Sequence, residues 1–263
     1  MKILPKKSLG QNFLIDEKIL NKIAELGEIG LNDKVIEVGP GTGNLTKKII
    51  QYKPKQLTIV EKDKRLYKFL KNKFHNKIKI INEDILNCSI VNSGNESIII
   101  YGNLPYNIST QILVNWIRIN DLKNFCKRFV LMFQKEVADR IIANDNSNKY
   151  GRLSILSSWK MNIKKIMDIN PDSFYPSPKI KSSVLVFEPK KIYYNLKNPK
   201  NLEYITNVFF NQRRKMIKKP LKILFKNFED VSKSLSLNLN LRPQNLSKLS
   251  YYKICSYYEK LIK

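Results

Sequence analysis

The sequence predicts an α/β fold: a doubly wound sheet followed by a small helical domain. Three observations predict it. Short apolar runs recur between residues 34 and 133, each ending in a glycine or polar residue. Stretches with helical apolar spacing separate them, as βαβ units require. Beyond Pro189 the spacing is helical throughout. The boundaries expected are 1–190 for the sheet domain and 191–263 for the helical one.

The first helix is expected after Asp16, a favoured N-cap, with Ile19, Leu20, Ile23 and Leu26 on one face. Asn12 and Leu14 precede it, and Leu14 reads as a staple residue packing on that helix. Residues 34–38 form an apolar strand. It runs into Gly39-Pro40-Gly41-Thr42-Gly43 and then a helix bearing Leu45, Ile49 and Ile50. Strand, glycine turn and helix open a nucleotide-binding sheet, and the missing Cβ atoms let a ligand approach the backbone. The next strand, residues 57–60, ends in Glu61, 22 positions after Gly39. A ribose-binding carboxylate is expected at about 20 residues' spacing. The turn is not the dinucleotide fingerprint, because it holds a proline and no spaced glycine follows in the helix.

A third strand, residues 78–81, leads to Glu83-Asp84. Asp84 reads either as an acceptor for the amine of a bound adenine ring or as the N-cap of a helix that Ile85-Leu86 would begin. The fourth strand, residues 98–101, leads to Asn103-Leu104-Pro105-Tyr106. An exocyclic adenine amine is a poor nucleophile, since its lone pair is delocalised into the ring. An enzyme that alkylates it must accept hydrogen bonds from the amine and hold the base on an aromatic face. Asn103 offers a side-chain oxygen, Leu104 a main-chain carbonyl and Tyr106 a ring. Pro105 restrains Leu104 and so that carbonyl. A strand followed by a proline turn is the plainer reading of the same residues. Ligands bind beyond the carboxyl ends of such strands, so Gly39, Glu61, Asp84 and Asn103 are expected around one crevice.

A strand at residues 129–133 leads into a helix near Gln134, and residues 143–148 read as a loop. Two further strands are expected near 163–168 and 182–187. Between them lies Phe174-Tyr175-Pro176-Ser177-Pro178, where Phe174 on its own reads as a core plug. Pro189 to Lys200 reads as a linker. The tail spacing then groups Leu202, Ile205, Val208 and Phe209; Met216, Leu221, Leu224 and Phe225; and Leu249, Ile254, Tyr257 and Leu261.

These motifs together resemble the small-subunit ribosomal RNA adenine dimethyltransferases, a family of Rossmann-like methyltransferases. The matching stretches are Gly10-Gln11-Asn12-Phe13-Leu14, Glu37-Val38-Gly39-Pro40-Gly41-Thr42-Gly43 and Asn103-Leu104-Pro105-Tyr106-Asn107-Ile108-Ser109-Thr110. Further on come Gln134-Lys135-Glu136-Val137-Ala138, Phe174-Tyr175-Pro176-Ser177-Pro178-Lys179, Gln212-Arg213-Arg214-Lys215 and Arg242-Pro243-Gln244-Asn245-Leu246-Ser247. The resemblance implies an S-adenosylmethionine methyltransferase sheet with a small C-terminal helical domain. It implies cofactor contacts at Asn12, Leu14, Gly39, Glu61, Asp84 and Asn103. It implies catalytic roles for Asn103, Leu104, Tyr106 and Phe174, the last stacking on a flipped base opposite Tyr106. The implied reaction is dimethylation of the N6 amines of two adjacent adenosines near the 3′ end of the small-subunit RNA, in the biogenesis of that subunit. Alternatives are a large-subunit adenine methyltransferase of the macrolide-resistance type and a non-catalytic RNA-binding assembly factor.

Composition agrees with a polyanionic partner. The chain has 263 residues and a formal charge of +26, and phosphate contacts supply much of the affinity for nucleic acid. In residues 189–263, 17 Lys and Arg stand against 4 Asp and Glu, a local charge of +13. The densest cluster, Arg213-Arg214-Lys215, is the expected RNA contact, since arginine pairs suit bidentate phosphate binding. A solvated lysine-rich surface accounts for part of the excess. Cys88, Cys126 and Cys255 are scattered with no C-x-x-C pair, and His75 is the only histidine. Neither a disulfide framework nor a metal site is expected. No apolar run approaches the roughly 18 residues of a membrane span. The expectation is a cytoplasmic monomer whose partner is the precursor of the small ribosomal subunit.

Overall fold

The computed structural model describes residues 3–88 and 97–262. The chain divides into two compact units: Met1–Ala138 with Asn162–Pro189, and Asp139–Met161 with Lys190–Lys263.

The first unit contains β1 (Phe13–Leu14), α1 (Glu17–Glu25), β2 (Lys34–Val38), α2 (Asn44–Ile50), β3 (Gln56–Val60), α3 (Lys64–Phe74) and β4 (Lys79–Ile81). It continues through β5 (Ile98–Asn103), α4 (Ser109–Ile117), α5 (Leu122–Phe125) and β6 (Cys126–Gln134), where α6 (Lys135–Ile142) begins. The chain returns through β7 (Met161–Ile169), β8 (Phe174–Tyr175) and β9 (Ser182–Pro189). Seven strands form one sheet in the order β4-β3-β2-β5-β6-β9-β7. From β2 the chain winds outward to β3 and β4, then crosses back to β5 and β6, all parallel. β9 closes onto β6 antiparallel. The order reverses between β2 and β5, and such a switch point opens a crevice at the carboxyl ends of the strands.

The strands are apolar because both faces are covered. Val35, Ile36, Val38, Ile59, Ile99, Ile100, Phe129, Leu131 and Phe133 are all buried. The β-branched run Ile98-Ile99-Ile100 suits a pleated, enclosed surface. Asp16 caps α1 by accepting from the Ile19 N–H at 3.1 Å. The helix turns Leu20, Ile23 and Ala24 into the core, and the Tyr101 hydroxyl donates to the Ala24 carbonyl at 2.5 Å. A separate two-stranded ladder joins distant parts of the sequence: β1 pairs antiparallel with β8, Phe13 opposite Tyr175 and Leu14 opposite Phe174.

The second unit contains α7 (Arg152–Lys160), α8 (Pro199–Phe210), α9 (Lys218–Leu224), α10 (Phe228–Ser234) and α11 (Lys248–Leu261). Sequence order alone puts residues 139–161 with the sheet domain, and α7 carries no readable stripe: Ser154, Ile155, Leu156, Ser157 and Trp159 are buried around its circumference. Tertiary hydrogen bonds explain its allegiance to the second unit. Trp159 Nε1 donates to the Tyr194 carbonyl at 2.7 Å, and the Tyr252 hydroxyl donates to the Ile155 carbonyl at 2.9 Å. Residues 190–198 are exposed along most of their length, Ile192 at 90%, but are tethered, with Leu196 buried. Glu259 anchors the same stretch by accepting from the N–H groups of Lys197 and Asn198 at 2.7 and 2.9 Å. Leu202, Ile205 and Phe209 are in the core, but Met216, Leu249 and Leu261 are exposed.

Candidate active site

The carboxyl ends of β2, β3 and β5, with the residues after β4, border one cavity of about 280 Å³ in the first unit. That is close to the lower end of the range for ligand pockets. Asn12, Leu14, Gly39, Glu61, Asp84, Asn103, Leu104 and Tyr106 all line it. These are eight of the residues expected from the sequence, brought together from separate segments.

The glycine turn forms one wall. Its Gly39 N–H donates to the Val60 carbonyl at 3.0 Å, and Lys73 Nζ donates to the Thr42 carbonyl at 2.7 Å. Gly39 and Gly41 hold φ of +68° and +57°. A Cβ on Gly41 would stand 2.7 Å from the Phe13 ring, and one on Gly39 would stand 3.3 Å from the Asn103 carbonyl oxygen. Only glycine satisfies both the left-handed backbone and the clearance.

Two carboxylates lie deep at this wall. Glu61 is 6% exposed and accepts from the Asp63 N–H at 2.8 Å. Burial pushes its pKa to about 7, against main-chain donors from Asp63 and Gly41. Glu37 is 2% exposed and accepts from the Thr46 hydroxyl at 2.5 Å. Burial also lifts it to about 7, with the nearby Glu61 charge adding to the rise. Asp63 goes the other way. Burial opposes its ionisation, but the Arg65 guanidinium at 2.6 Å and the Gln11 amide at 3.0 Å bring it down to about 2.

Asp84 begins a turn at residues 85–87 and not the helix its capping residue type suggested. It lines the cavity, and its Oδ1 caps the following turn by accepting from the Leu86 N–H at 3.0 Å. Its burial disfavours the charge, yet the Lys62 ammonium at 2.7 Å keeps the pKa below the usual value. Asn103 donates through Nδ2 to the Asn12 carbonyl at 3.1 Å, so its Oδ1 is the atom left to accept from a ligand. The Asn44 amide donates to the Leu14 carbonyl at 2.9 Å. These two bonds tie residues 12–14 across the cavity as a strap. The Tyr106 hydroxyl shares a hydrogen at 2.6 Å with Ser182 Oγ on β9, which fixes the ring, and the Ser109 hydroxyl donates to the Tyr106 carbonyl at 3.2 Å.

Phe174 is not brought to the cavity. It is 3% exposed and belongs to the core cluster with Leu14, Leu20 and Val184. The β1–β8 register sets it opposite Leu14, which itself lines the cavity. Arg214 and Lys215 are exposed, whereas Arg213 donates to the Asn148 carbonyl at 2.6 Å within the second unit. Sequence reasoning missed Glu37, Gln11, Asn44 and Ser182 as supports of the site. Glu37 and Gln11 stand within matched motifs, but no local pattern marks Asn44 or Ser182.

The donor set fits a nucleoside-containing cofactor: a glycine cradle with no Cβ, a buried carboxylate at the end of β3, an acid after β4 and an apolar wall from Phe13 and Leu14. Among the described residues no cluster of His, Cys, Asp or Glu could hold a metal ion, and no helix is long and apolar enough to cross a membrane. The three cysteines are free and buried.

Comparison with known proteins agrees with this geometry. The chain is 55% identical over 262 residues to ribosomal RNA small subunit methyltransferase A of Pelagibacter ubique (strain HTCC1062), covering 99% of each. It is 42% identical to the protein of that name from Wolbachia sp. subsp. Drosophila simulans (strain wRi), covering 92% of this chain and 89% of that one. Among solved structures, a dimethyladenosine transferase from Plasmodium falciparum superposes with a TM-score of 0.77 at 25% identity, covering 94% of this chain and 98% of that one. The 23S rRNA methyltransferase ErmE shares the fold, with a TM-score of 0.69 at 23% identity, covering 96% of this chain and 100% of that one. The profile described as ribosomal RNA adenine dimethylase matches residues 4–260. With that match spanning nearly its whole length, the chain belongs to the ribosomal RNA adenine dimethylase family, enzymes whose Rossmann-like sheet uses S-adenosylmethionine to methylate adenine in ribosomal RNA.

Proposed function

We propose that the protein dimethylates the N6 amines of two adjacent adenosines near the 3′ end of small-subunit ribosomal RNA, in the cytoplasm, during assembly of that subunit. The observation that carries this reading is the Asn103 side chain. Its nitrogen is committed to Asn12, which leaves its oxygen to accept, and Asn103, Leu104 and Tyr106 line the cavity together.

Glu61 holds the ribose hydroxyls of the cofactor, Asp84 its adenine amine, and the Gly39–Gly41 turn its amino-acid end. Asn12 and Leu14 close over it as the strap. S-adenosylmethionine supplies an electrophilic methyl group on a sulfonium. The protein's part is to place the amine. Asn103 Oδ1 and the Leu104 carbonyl accept the two amine hydrogens, which favours a pyramidal nitrogen with its lone pair free. Tyr106 holds the base from one face. No general base is needed before the bond forms, since the amine proton becomes acidic only on the alkylated nitrogen. Positioning and fixed dipoles supply the acceleration.

Tritium transfer from labelled cofactor tests the reading. Small subunits should accept label on adjacent adenosines, and large subunits should not. Label in large subunits alone would support the macrolide-resistance reading instead, and no label in either would support a non-catalytic assembly factor.

A further inference from the structure

Lys62 follows Glu61 at the end of β3 and lines the same cavity as Glu61 and Asp84. Its ammonium donates to Asp84 Oδ2 at 2.7 Å, while Asp84 Oδ1 accepts from the Leu86 N–H at 3.0 Å. The main chain beneath this pair is fixed twice. The Glu61 N–H donates to the Ile81 carbonyl at 2.9 Å, and the Asn82 side-chain amide donates to the Glu61 and Lys62 carbonyls at 2.8 and 3.2 Å. The ends of β3 and β4 are thereby held side by side, and the ion pair joins the side chains beyond them. Stability does not account for the pair. The Lys62 side chain is 60% exposed, and ion pairs open to water contribute little to folding.

Its effect falls on Asp84. The outer torsion of an aspartate is soft and roughly two-fold, so a single donor leaves the carboxylate plane free to turn. A donor on each oxygen stops it. A carboxylate has about four acceptor positions, and two are used here. Those that remain point in fixed directions, and while the group is ionised they can only accept. Burial opposes that ionisation, and the Lys62 ammonium outweighs it. Such a group suits the exocyclic amine of a purine and repels an exocyclic oxygen.

We propose that Lys62 is a specificity-determining residue of the cofactor site, one that aims Asp84 so that a nucleoside with an amino-bearing purine is bound and its oxo-bearing counterpart is disfavoured. The inference rests on the reading that Asp84 receives the adenine amine of the cofactor.

Calorimetry on the full-length protein with S-adenosylhomocysteine and S-inosylhomocysteine tests it, since these ligands differ only in the purine. Wild type should prefer the adenine ligand. Lys62→Met keeps the apolar stem and removes the donor. It should shrink that preference by roughly three- to tenfold, the worth of one well-aimed hydrogen bond, through weaker binding of S-adenosylhomocysteine. In methyl transfer to small subunits the loss should appear in KM for S-adenosylmethionine rather than in kcat. Lys62→Arg, which keeps a cationic donor, should recover the preference. A change that merely disturbed the fold would lower Tm and weaken both ligands alike, so the ratio of the two affinities separates the roles. An unchanged ratio in Lys62→Met overturns the proposal. Tighter binding of S-adenosylhomocysteine by Lys62→Met also overturns it, because Lys62 would then be occupying the place of the amine. So does a Lys62→Arg variant no better than Lys62→Met. A wild type that binds both ligands alike would overturn the placing of adenine at Asp84, and this proposal with it.

Discussion

Glu37 and Glu61 show how much chemistry single residues hold at this site. Burial raises both carboxyls to about 7 from an ordinary value of 4.5. The folded protein therefore retains protons that the unfolded chain has released between about pH 4.5 and 7. Stability from this source is complete below that window and is lost as pH rises through it. Glu37→Gln keeps an acceptor for the Thr46 hydroxyl and removes the charge. It should raise the Tm of the ligand-free protein at about pH 8 more than at about pH 5.5, by up to about 2 kcal/mol of differential stability. Parallel wild-type and variant curves across that range would contradict the assignment. Glu61→Ala should weaken S-adenosylmethionine by roughly 1.5–3 kcal/mol, the scale of charge-assisted hydrogen bonds, and calorimetry reads this directly. Tyr106 separates two roles. Tyr106→Phe removes only the bond to Ser182, whereas Tyr106→Ala removes the ring and should cut turnover far more than RNA affinity, since phosphates supply most of that affinity. A collapse of RNA affinity with normal turnover would make Tyr106 a binding residue only. At this scale the sequence is readable where residues sit at strand ends. Glu61, Asp84 and Asn103 each follow an apolar run, and that position marks them. Asn44 and Ser182 act through partners 30 and 76 positions away, and no local pattern announces such a pairing.

At the scale of elements, the strap of residues 12–14 depends on the glycine turn beneath it. Gly41→Ala would force a Cβ into the Phe13 ring and hold an L-residue at a φ of +57°. The backbone alone should cost on the order of 1–2 kcal/mol. The displaced Phe13 should in addition loosen the strap, so cofactor affinity should fall by more than the drop in Tm implies. Equal affinity in the variant, measured by calorimetry, would show that Phe13 moves aside without consequence. The seven strands of the main sheet, the first two helices and the cap at Asp16 are legible because periodicity and punctuation agree there. Helix α7 is not, since a helix buried on every side has no polar face to give its period away. The inward turn of Phe174 is hidden for a related reason: a two-residue strand has too little alternation to reveal which ring points where.

The whole molecule has its own test. Arg213 is engaged with Asn148, so a triple substitution would mix binding with folding. Replacing Arg214 and Lys215 by Ala isolates the charge, because both are exposed. Affinity for the small subunit should fall, and its log–log salt slope should flatten by about 0.7–0.9 for each phosphate the protein no longer neutralises. Thermal stability should stay within about 0.5 kcal/mol. An unchanged slope and affinity would mean that this cluster solvates the turn after α8 and does not meet RNA. The excess of charge is plain in composition, and so is the helical character of the tail. The division of the chain is not, because the grouping of residues 139–161 with the tail rests on pairings such as Trp159 to Tyr194 and Tyr252 to Ile155 that no linear reading can see.

That grouping matters while the protein is being made. Synthesis is vectorial, and α7 emerges with Trp159 and Ile155 long before Tyr194, Tyr252 and the rest of α11 exist to receive them. At about 5–20 residues per second, the wait is on the order of 5–20 s. During it the nascent chain carries a helix whose Leu156, Ile155 and Trp159 have no partners yet, a natural handle for a chaperone. A nonsense mutation just after residue 190 would make the wait permanent. The product would keep every residue of the crevice and still present an orphan helix to the proteases that remove unfinished chains.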